Sequence, residues 1–122
     1  MILITGGIGS GKRSFVIDDL GYRAEDLSAD VSDDSPVFYG LHDLIRERGS
    51  LNEETRSVLL RKEVVVCDEV GCGVVPLDEQ VRKWRDEVGR AQTSLATEAS
   101  TVIRMVCGIP QLIKGRLESM EN

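Results

Sequence analysis

The sequence predicts an α/β fold in which helices cover a mostly parallel sheet. Three observations predict it: short apolar runs without polar interruption, a glycine-rich turn after the first run, and a long amphipathic helix before the last. Unbroken apolar runs are typical of parallel strands buried on both faces, and such strands need crossover helices between them. The order of elements therefore favours a single domain, residues 1–122, around a sheet of about three or four strands.

The first part of the chain predicts a strand, a helix and a polar loop. Residues 1–5 are mostly apolar and predict a central strand. Residues 15–20 predict a helix that Gly21 ends. Residues 23–37 are acidic and polar and contain Pro36 in a turn-forming cluster, so we expect a loop there with a short edge strand at most.

Two helices are expected before the next strand. The spacing of Leu41, Leu44 and Ile45 is helical, which predicts a helix over residues 37–48. Asn52 is a suitable N-cap for the second helix, whose first turn is acidic and whose last turn is basic, as the helix dipole favours.

The second half begins with an apolar strand over residues 63–68, and a glycine-containing loop follows over residues 70–76. Asp78 is expected to cap the longest helix. Its apolar positions form a stripe along one face: Val81, Trp84, Val88, Ala91, Leu95 and Ala99. Residues 101–107 predict a further strand, which the turn over residues 108–110 ends before a charged tail.

The glycine-rich turn has the spacing of a phosphate-binding loop, or P-loop. Gly6, Gly11 and Lys12 fit the pattern Gly-x-x-x-x-Gly-Lys, between a strand and a helix. Backbone N–H groups in such a turn point into one concavity that holds phosphate oxygens, and the lysine neutralises the outer phosphates. The helix N-terminus adds partial positive charge. The predicted nucleotide-binding residues are Gly6, Gly7, Ile8, Gly9, Ser10, Gly11, Lys12, Arg13 and Ser14.

One position of this loop departs from the pattern. The residue after the lysine is normally Ser or Thr, whose hydroxyl ligates Mg²⁺. Here that residue is Arg13, and the serine comes one residue later, at Ser14. A guanidinium cannot ligate Mg²⁺ and competes with it for phosphate charge. The sequence therefore predicts a phosphate site, but it does not decide whether that site also binds Mg²⁺.

An acidic pair ends the second long apolar strand. In P-loop proteins such an Asp orients Mg²⁺ or its water, and a following Glu can orient or deprotonate the attacking group. Asp68 is therefore a candidate metal ligand and catalytic residue, and Glu69 a candidate catalytic residue. The carboxyl ends of parallel strands are also where α/β folds bind ligands. The alternative is a solvated acidic pair in a turn.

His42 is the only histidine of the chain and lies on the flank of a predicted helix. A surface histidine is the simplest interpretation. A histidine can also accept a nucleotide covalently as a phosphoramidate, and Arg46, four residues later, could bind a phosphate.

The composition of the chain indicates which binding partners and which cellular compartment to expect. The net charge of −6 argues against a nucleic-acid backbone or an anionic membrane as partner. No apolar run approaches the ~20 residues of a membrane helix, and no signal peptide is expected because a strand-like run follows Met1 directly. The three cysteines include no C-x-x-C pair, which fits the cytoplasm, and we expect Cys67 and Cys107 to be buried in strands. A small sheet leaves open edges, which favours a homo-oligomer.

Three segments resemble the adenosylcobinamide kinase / adenosylcobinamide-phosphate guanylyltransferase family. They are the loop TGGIGSGKRS over residues 5–14, the run DEVGCGVVP over residues 68–76 and the run CGIPQLIK over residues 107–114. The resemblance covers residues 1–21 and about 63–115. It is specific, because the run after Glu69 is not general to P-loop proteins.

The resemblance implies a RecA-like P-loop NTPase fold of reduced size, often a trimer, with nucleotides and corrinoids as ligands. Such enzymes phosphorylate the aminopropanol arm of adenosylcobinamide with ATP or GTP, Mg²⁺ assisting, and then attach GMP through a guanylylated histidine. Carried onto this chain, the kinase role falls on Lys12, Asp68 and Glu69. The guanylyl-accepting role would fall on His42, although the family's histidine is followed by Arg-Pro and here Glu47 replaces the proline.

Two alternatives remain open at this point. Arg13 favours a nucleotide- or corrinoid-binding protein without catalysis, in which phosphate binding needs no metal. A kinase for another small hydroxylated substrate is the third interpretation.

Overall fold

The strands of this protein form one six-stranded sheet, in a computed structural model that describes residues 1–69 and 78–117. The spatial order is β2-β3-β4-β1-β5-β6, and all neighbours are parallel except β5 and β6, which are antiparallel. The strands are β1 (Ile2–Gly6), β2 (Leu27–Ser28), β3 (Val37–Tyr39), β4 (Val64–Asp68), β5 (Thr101–Val106) and β6 (Ile109–Lys114). The predicted loop over residues 70–76, with Cys72, lies outside the described residues.

Four α-helices lie between the strands in the described part of the chain. They are α1 (Lys12–Ser14), which continues as a wider π-helical turn over Phe15–Asp19, then α2 (Leu41–Arg48), α3 (Glu53–Leu60) and α4 (Glu79–Glu98), with a short 3₁₀ turn at Ala24–Asp26. Both predicted N-caps are confirmed. The side chain of Asn52 accepts a hydrogen bond from the backbone of Thr55, and that of Asp78 accepts one from Gln80.

The two faces of the sheet carry different layers because side chains alternate along each strand. On one face Leu3, Val65 and Cys67 pack with the buried side chains of α2, α3 and α4. On the other face Ile4 and Val66 pack with Phe15 and Val16 of the segment that follows the glycine loop. The α4 stripe predicted from the sequence supplies Val88, Ala91, Leu95 and Ala99 to the first layer. The central strands are therefore buried on both sides, as their unbroken apolar sequences predict.

The prediction of one helix over residues 37–48 was wrong at its start. Val37–Tyr39 is strand β3, and the helix begins only at Leu41. The reason is Gly40, whose φ of 107° separates the two elements and which only glycine adopts readily. A β-branched and aromatic run between Pro36 and such a glycine favours a strand.

The prediction of a sheet of three or four strands with a charged tail was also wrong. After β5 the chain turns back at Cys107 and Gly108, both at positive φ, and pairs with β5 as β6. Pro110 is tolerated there because β6 is an edge strand, where its missing N–H breaks no ladder. Cys107 is consequently exposed in the turn, and its predicted burial was wrong, whereas Cys67 is buried as predicted.

The predicted fold class is confirmed: a mostly parallel α/β sheet with flanking helices, and at most a short edge strand, β2, within residues 23–37. None of the helices in the described ranges is long and apolar enough to cross a membrane.

Candidate functional site

The sheet register brings the glycine loop and the acidic end of β4 together. Gly6, the last residue of β1, is paired with Asp68, the last residue of β4. Both strands are parallel, so both end at the same edge of the sheet, and the loop curls over it. Gly6 needs to be glycine because a Cβ there would lie 2.5 Å from the Ser10 hydroxyl and 2.8 Å from the Met105 carbonyl oxygen.

Lys12 is the centre of this site. Its ammonium group lies 2.7 Å from Oδ1 of Asp68 and donates hydrogen bonds to the carbonyl oxygens of Gly6 and Gly7, at 3.0 and 2.6 Å. The side chain is buried, with 8% of its surface exposed. A buried ammonium requires partners of this kind, because leaving it unpaired would cost several kcal/mol. The lysine therefore links the loop to β4.

Asp68 receives a second partner from another part of the chain. Nε2 of His42 lies 3.4 Å from Oδ2 of Asp68 and 3.6 Å from the exposed carboxylate of Asp43. His42 lies in the first turn of α2, which begins after β3 at the same sheet edge. His42 is 21% exposed, so it is not the surface histidine that is the simplest interpretation of the sequence.

One further contact fixes the backbone of His42, and one nitrogen of its ring has no partner in the described part of the chain. Its Nδ1 is buried and has no hydrogen-bond partner among the described residues. Its backbone carbonyl accepts a 2.7 Å hydrogen bond from the indole Nε1 of Trp84 on α4. Trp84 is therefore more than the core residue that the α4 stripe predicts, because it also anchors the start of α2.

A small pocket lies against these groups and encloses about 190 Å³. Its charged and polar side chains come from the loop, α2 and β4, and its apolar walls from four neighbouring elements. The lining residues are Lys12, Arg13, Val16, Leu27, Tyr39, Gly40, His42, Val66 and Asp68. A pocket with apolar walls and a few convergent polar groups is the usual form of a small-molecule site.

The remaining loop residues surround the mouth of the site. Gly7, Ile8 and Gly9 are exposed, and Ile8 is 88% exposed. Arg13 and Ser14 are also exposed, and only Arg13 lines the pocket. In the described part of the chain no carboxylate pairs with Arg13. The loop thus presents one cation that is committed to Asp68 and one that is available to a ligand.

Glu69 is placed differently from its neighbour Asp68. Its two carboxylate oxygens accept hydrogen bonds from Nε and a terminal nitrogen of Arg104, at 2.9 and 3.3 Å. Arg104 belongs to β5, on the far side of β1. The backbone N–H of Glu69 donates to the carbonyl oxygen of Gly6 and so extends the β1–β4 pairing by one residue. The guanidinium of Arg104 thus engages both oxygens of this carboxylate.

Comparison with known proteins identifies the family. The family model "Cobinamide kinase / cobinamide phosphate guanyltransferase" matches residues 15–113, which is more than half of the chain. The chain belongs to this family. The glycine loop precedes the matched residues, so its assignment depends on its own sequence and geometry.

Two curated relatives agree with this match. The chain is 38% identical over 52 residues to the "Bifunctional adenosylcobalamin biosynthesis protein CobP" of Pseudomonas aeruginosa, covering 43% of this chain and 30% of that protein. It is 37% identical over 71 residues to the "Bifunctional adenosylcobalamin biosynthesis protein CobU" of Escherichia coli K12, covering 53% and 39% respectively. The matched segments thus span less than half the length of either relative.

The site of this cobinamide kinase family member does not fit Mg²⁺ well. The described residues contain no cluster of three or more His, Cys, Asp and Glu side chains that could hold a metal. Arg13 stands where the hydroxyl ligand belongs, and Asp68 is committed to Lys12 and His42. Mg²⁺ requires oxygen ligands in near-octahedral geometry. The described side chains therefore do not supply the oxygen ligands that this ion needs.

Arg46 lies away from the phosphate loop. Its guanidinium stacks 4.2 Å from the centroid of the Trp84 ring, in a groove of about 840 Å³ between α2 and α4. Lys12 lines the smaller pocket and not this groove. The groove is larger, but the cations of the glycine loop, Lys12 and Arg13, line the smaller pocket.

The sequence alone did not indicate three contributors to the site. Leu27 of β2 and Tyr39 of β3 line the pocket. Both strands are short, and no local sequence pattern indicates their order in the sheet. Arg104 had a weak signal, because it is the one charged residue in an otherwise apolar strand.

Proposed function

We propose that this chain catalyses a nucleotide-dependent phosphoryl transfer to the hydroxyl of adenosylcobinamide, with ATP or GTP as donor. The observation that carries the proposal is the position of Lys12, buried beneath a glycine loop and 2.7 Å from a carboxylate at the edge of a parallel sheet. Membership of the cobinamide kinase family supports the choice of acceptor.

In the proposed reaction the loop binds the donor phosphates. Backbone N–H groups of residues 9–12 hold the phosphate oxygens, and Lys12 and Arg13 neutralise their charge. Charge stabilisation and positioning supply most of the catalysis in phosphoryl transfer. The cations are needed locally because the chain as a whole carries a net charge of −6.

The acceptor hydroxyl enters the small pocket beside Asp68. Its oxygen forms a bond to the γ-phosphorus, and the bond from that phosphorus to the bridging oxygen breaks, which releases the nucleoside diphosphate. Asp68 accepts the hydrogen bond of the hydroxyl, whose proton passes to water. Glu69 acts indirectly, because Arg104 holds both of its oxygens.

We propose that the guanylyl transfer of the family is not carried by His42 in this arrangement. An acceptor nitrogen has to reach the α-phosphorus of GTP. Nδ1 of His42 is buried, and Nε2 lies between the carboxylates of Asp68 and Asp43. Incubation with GTP, followed by mass spectrometry of the peptide that contains His42, should detect no added GMP. A His42 adduct would contradict this part of the proposal.

The kinase proposal is tested by incubating purified protein with adenosylcobinamide and ATP or GTP, with and without Mg²⁺. Chromatography should detect adenosylcobinamide phosphate and the nucleoside diphosphate in equal amounts. Lys12→Ala should abolish the product, and Lys83→Ala, an exposed lysine on α4, should leave it unchanged. Absence of product at any pH would reject the kinase.

The second candidate is a nucleotide- or corrinoid-binding protein without turnover, and Arg13 is the observation that favours it. It predicts nucleotide binding in the same preparation with no diphosphate released. A different small alcohol as acceptor would instead give slow hydrolysis of the donor and no cobinamide phosphate.

We also propose that the protein assembles into a homo-oligomer, a trimer by resemblance to its family. Edge strand β6 exposes Ile109 and Ile113, with 68% and 57% of their surface accessible. Open edges with apolar side chains favour association. Sedimentation equilibrium should give a mass above the 13.4 kDa of the single chain.

A further inference from the structure

We propose that the loop binds polyphosphate without a divalent cation, and that Asp68 is an internal counter-ion which the incoming phosphate displaces from Lys12. The inference rests on the proposed phosphate site but not on phosphoryl transfer. Asp68 then competes with the phosphate for Lys12, whereas a metal-binding Asp would strengthen phosphate binding.

The first argument is that the carboxylate of Asp68 is already engaged. Oδ1 lies 2.7 Å from the ammonium of Lys12, and Oδ2 lies 3.4 Å from Nε2 of His42. The Asp68 side chain is 24% exposed, so solvent screens the Lys12 pair only in part. Two of the three N–H donors of the Lys12 ammonium go to the carbonyl oxygens of Gly6 and Gly7. A phosphate that binds Lys12 therefore competes with the Asp68 carboxylate for the third donor.

The second argument is the identity of residue 13. Arg13 lines the pocket beside Lys12, and no carboxylate in the described part of the chain is paired with it. A guanidinium presents a planar fork of donors that binds phosphate oxygens bidentately and remains charged at any physiological pH. It can therefore supply the charge that a cation supplies elsewhere.

The third argument is the charge around the pocket. Two cations, Lys12 and Arg13, face one carboxylate, Asp68, and the other titratable side chains of the lining are His42 and Tyr39. The next acid, Asp43, has 71% of its side chain in solvent. A divalent cation would enter a site that already has excess positive charge and no oxygen cluster among the described residues. A polyphosphate anion would balance that charge.

The two roles of Asp68 predict opposite effects of the same substitution. If Asp68 competes with phosphate, Asp68→Asn frees Lys12 and tightens binding. If Asp68 holds a metal, the same change weakens the binding of the metal-phosphate complex. Removing an ion pair of this exposure should change affinity by about fivefold.

The experiment is calorimetric titration of the whole chain with inorganic pyrophosphate, in EDTA and in excess Mg²⁺. Wild-type protein should bind in EDTA at least as tightly as in Mg²⁺. Asp68→Asn should bind about fivefold more tightly in EDTA, and Arg13→Ser about tenfold more weakly, with Arg13→Lys in between. Asp86→Asn and Arg82→Ser, matched exchanges at exposed positions of α4, should change nothing.

Three results would overturn the inference: binding that appears only with Mg²⁺, weaker binding by Asp68→Asn, or no pyrophosphate binding at all. Arg13 is exposed, so Arg13→Ser tests the idea even if Asp68→Asn destabilises the fold. Pyrophosphate binding in EDTA without cobinamide phosphorylation would reject the proposed kinase and leave this inference standing.

Discussion

Asp68 and Glu69 are neighbours in the sequence, yet they belong to two different regions of the molecule. Asp68 points to Lys12 and His42 on the β3 side of the sheet edge. Glu69 reaches across β1 to Arg104 on the β5 side. The first pair has a buried lysine beside a pocket, and the second has an arginine with 47% of its side chain exposed.

The difference shows that an acidic pair at the end of a strand is not one functional unit. Successive side chains leave a strand in opposite directions, so each acid meets the elements on its own side. On the Asp68 side, the partners are a lysine of the glycine loop and a histidine of α2, and both line a pocket. On the Glu69 side, the partner is a strand residue, and the pair holds β4 and β5 together across β1. We therefore expect substitutions on the two sides to affect different measurements.

The largest effect is expected from Lys12→Ala, which removes from the Asp68 side the cation that we propose binds phosphate. Affinity for pyrophosphate should fall by about a hundredfold, because a charge-assisted contact is lost and Asp68 remains without its lysine partner. Calorimetry measures the change, and Lys83→Ala is the exposed control. Retained affinity would move the phosphate site away from this loop.

The second largest effect is expected from Gly6→Ala, at the residue that lies between the two sides. The added Cβ would lie 2.5 Å from the Ser10 hydroxyl, which can rotate, and 2.8 Å from the backbone oxygen of Met105, which cannot. The free energy of unfolding should fall by about 2 kcal/mol in urea titrations.

Gly89→Ala is the matched control for this substitution. Nothing lies within 4 Å of a Cβ at Gly89 in α4, so alanine should raise stability there by up to about 1 kcal/mol. Equal behaviour of the two variants would contradict the close approach of the loop to β5.

A smaller effect is expected on the Glu69 side. A double-mutant cycle with Glu69→Gln and Arg104→Gln should give a coupling of about 1 kcal/mol in the free energy of unfolding, because the pair is bidentate but half exposed. The coupling should shrink in 1 M salt. Pyrophosphate affinity should stay within twofold of wild type; a tenfold loss would place Glu69 in the phosphate site.

Much of the geometry of the proposed phosphate site could be predicted from local sequence. The glycine spacing and the lysine place a phosphate loop after β1, and parallel strands that end at one edge bring Asp68 near it. The sequence also shows that Arg13 replaces the hydroxyl residue that normally ligates Mg²⁺. These features are short-range or follow from one general property of parallel sheets.

The rest depended on contacts that no local pattern encodes. His42 reaches Asp68 only because β3 pairs with β4 and ends at Gly40, and a helical spacing over residues 41–45 concealed that strand. β6 was hidden by Pro110, which excludes a central strand but not an edge strand. The Arg104 partner of Glu69 lies 35 residues away in the chain. Such pairings are decided by the order of strands in the sheet.

The smallest effect is expected from chemical labelling of two thiols. This experiment compares the two sides without substituting any of their charged residues. Cys67 precedes Asp68 on β4, is buried, and accepts a 3.1 Å hydrogen bond from Gln92. Burial raises its thiol pKa to about 12, an effect that the nearby Asp68 carboxylate strengthens and the Gln92 hydrogen bond opposes. At pH 8 almost none of it is thiolate, which is the reactive form.

Cys107 lies exposed in the β5–β6 turn, whose Gly108 donates to the Ser10 carbonyl of the loop. In a Cys72→Ser background, iodoacetamide should therefore modify Cys107 and spare Cys67 in the folded protein, and should modify both in urea, as mass spectrometry of the peptides will show. Labelling of Cys67 in the folded protein would mean that the β4 side opens to solvent, and the buried Lys12–Asp68 pair beside it would then be screened as fully as the Glu69–Arg104 pair.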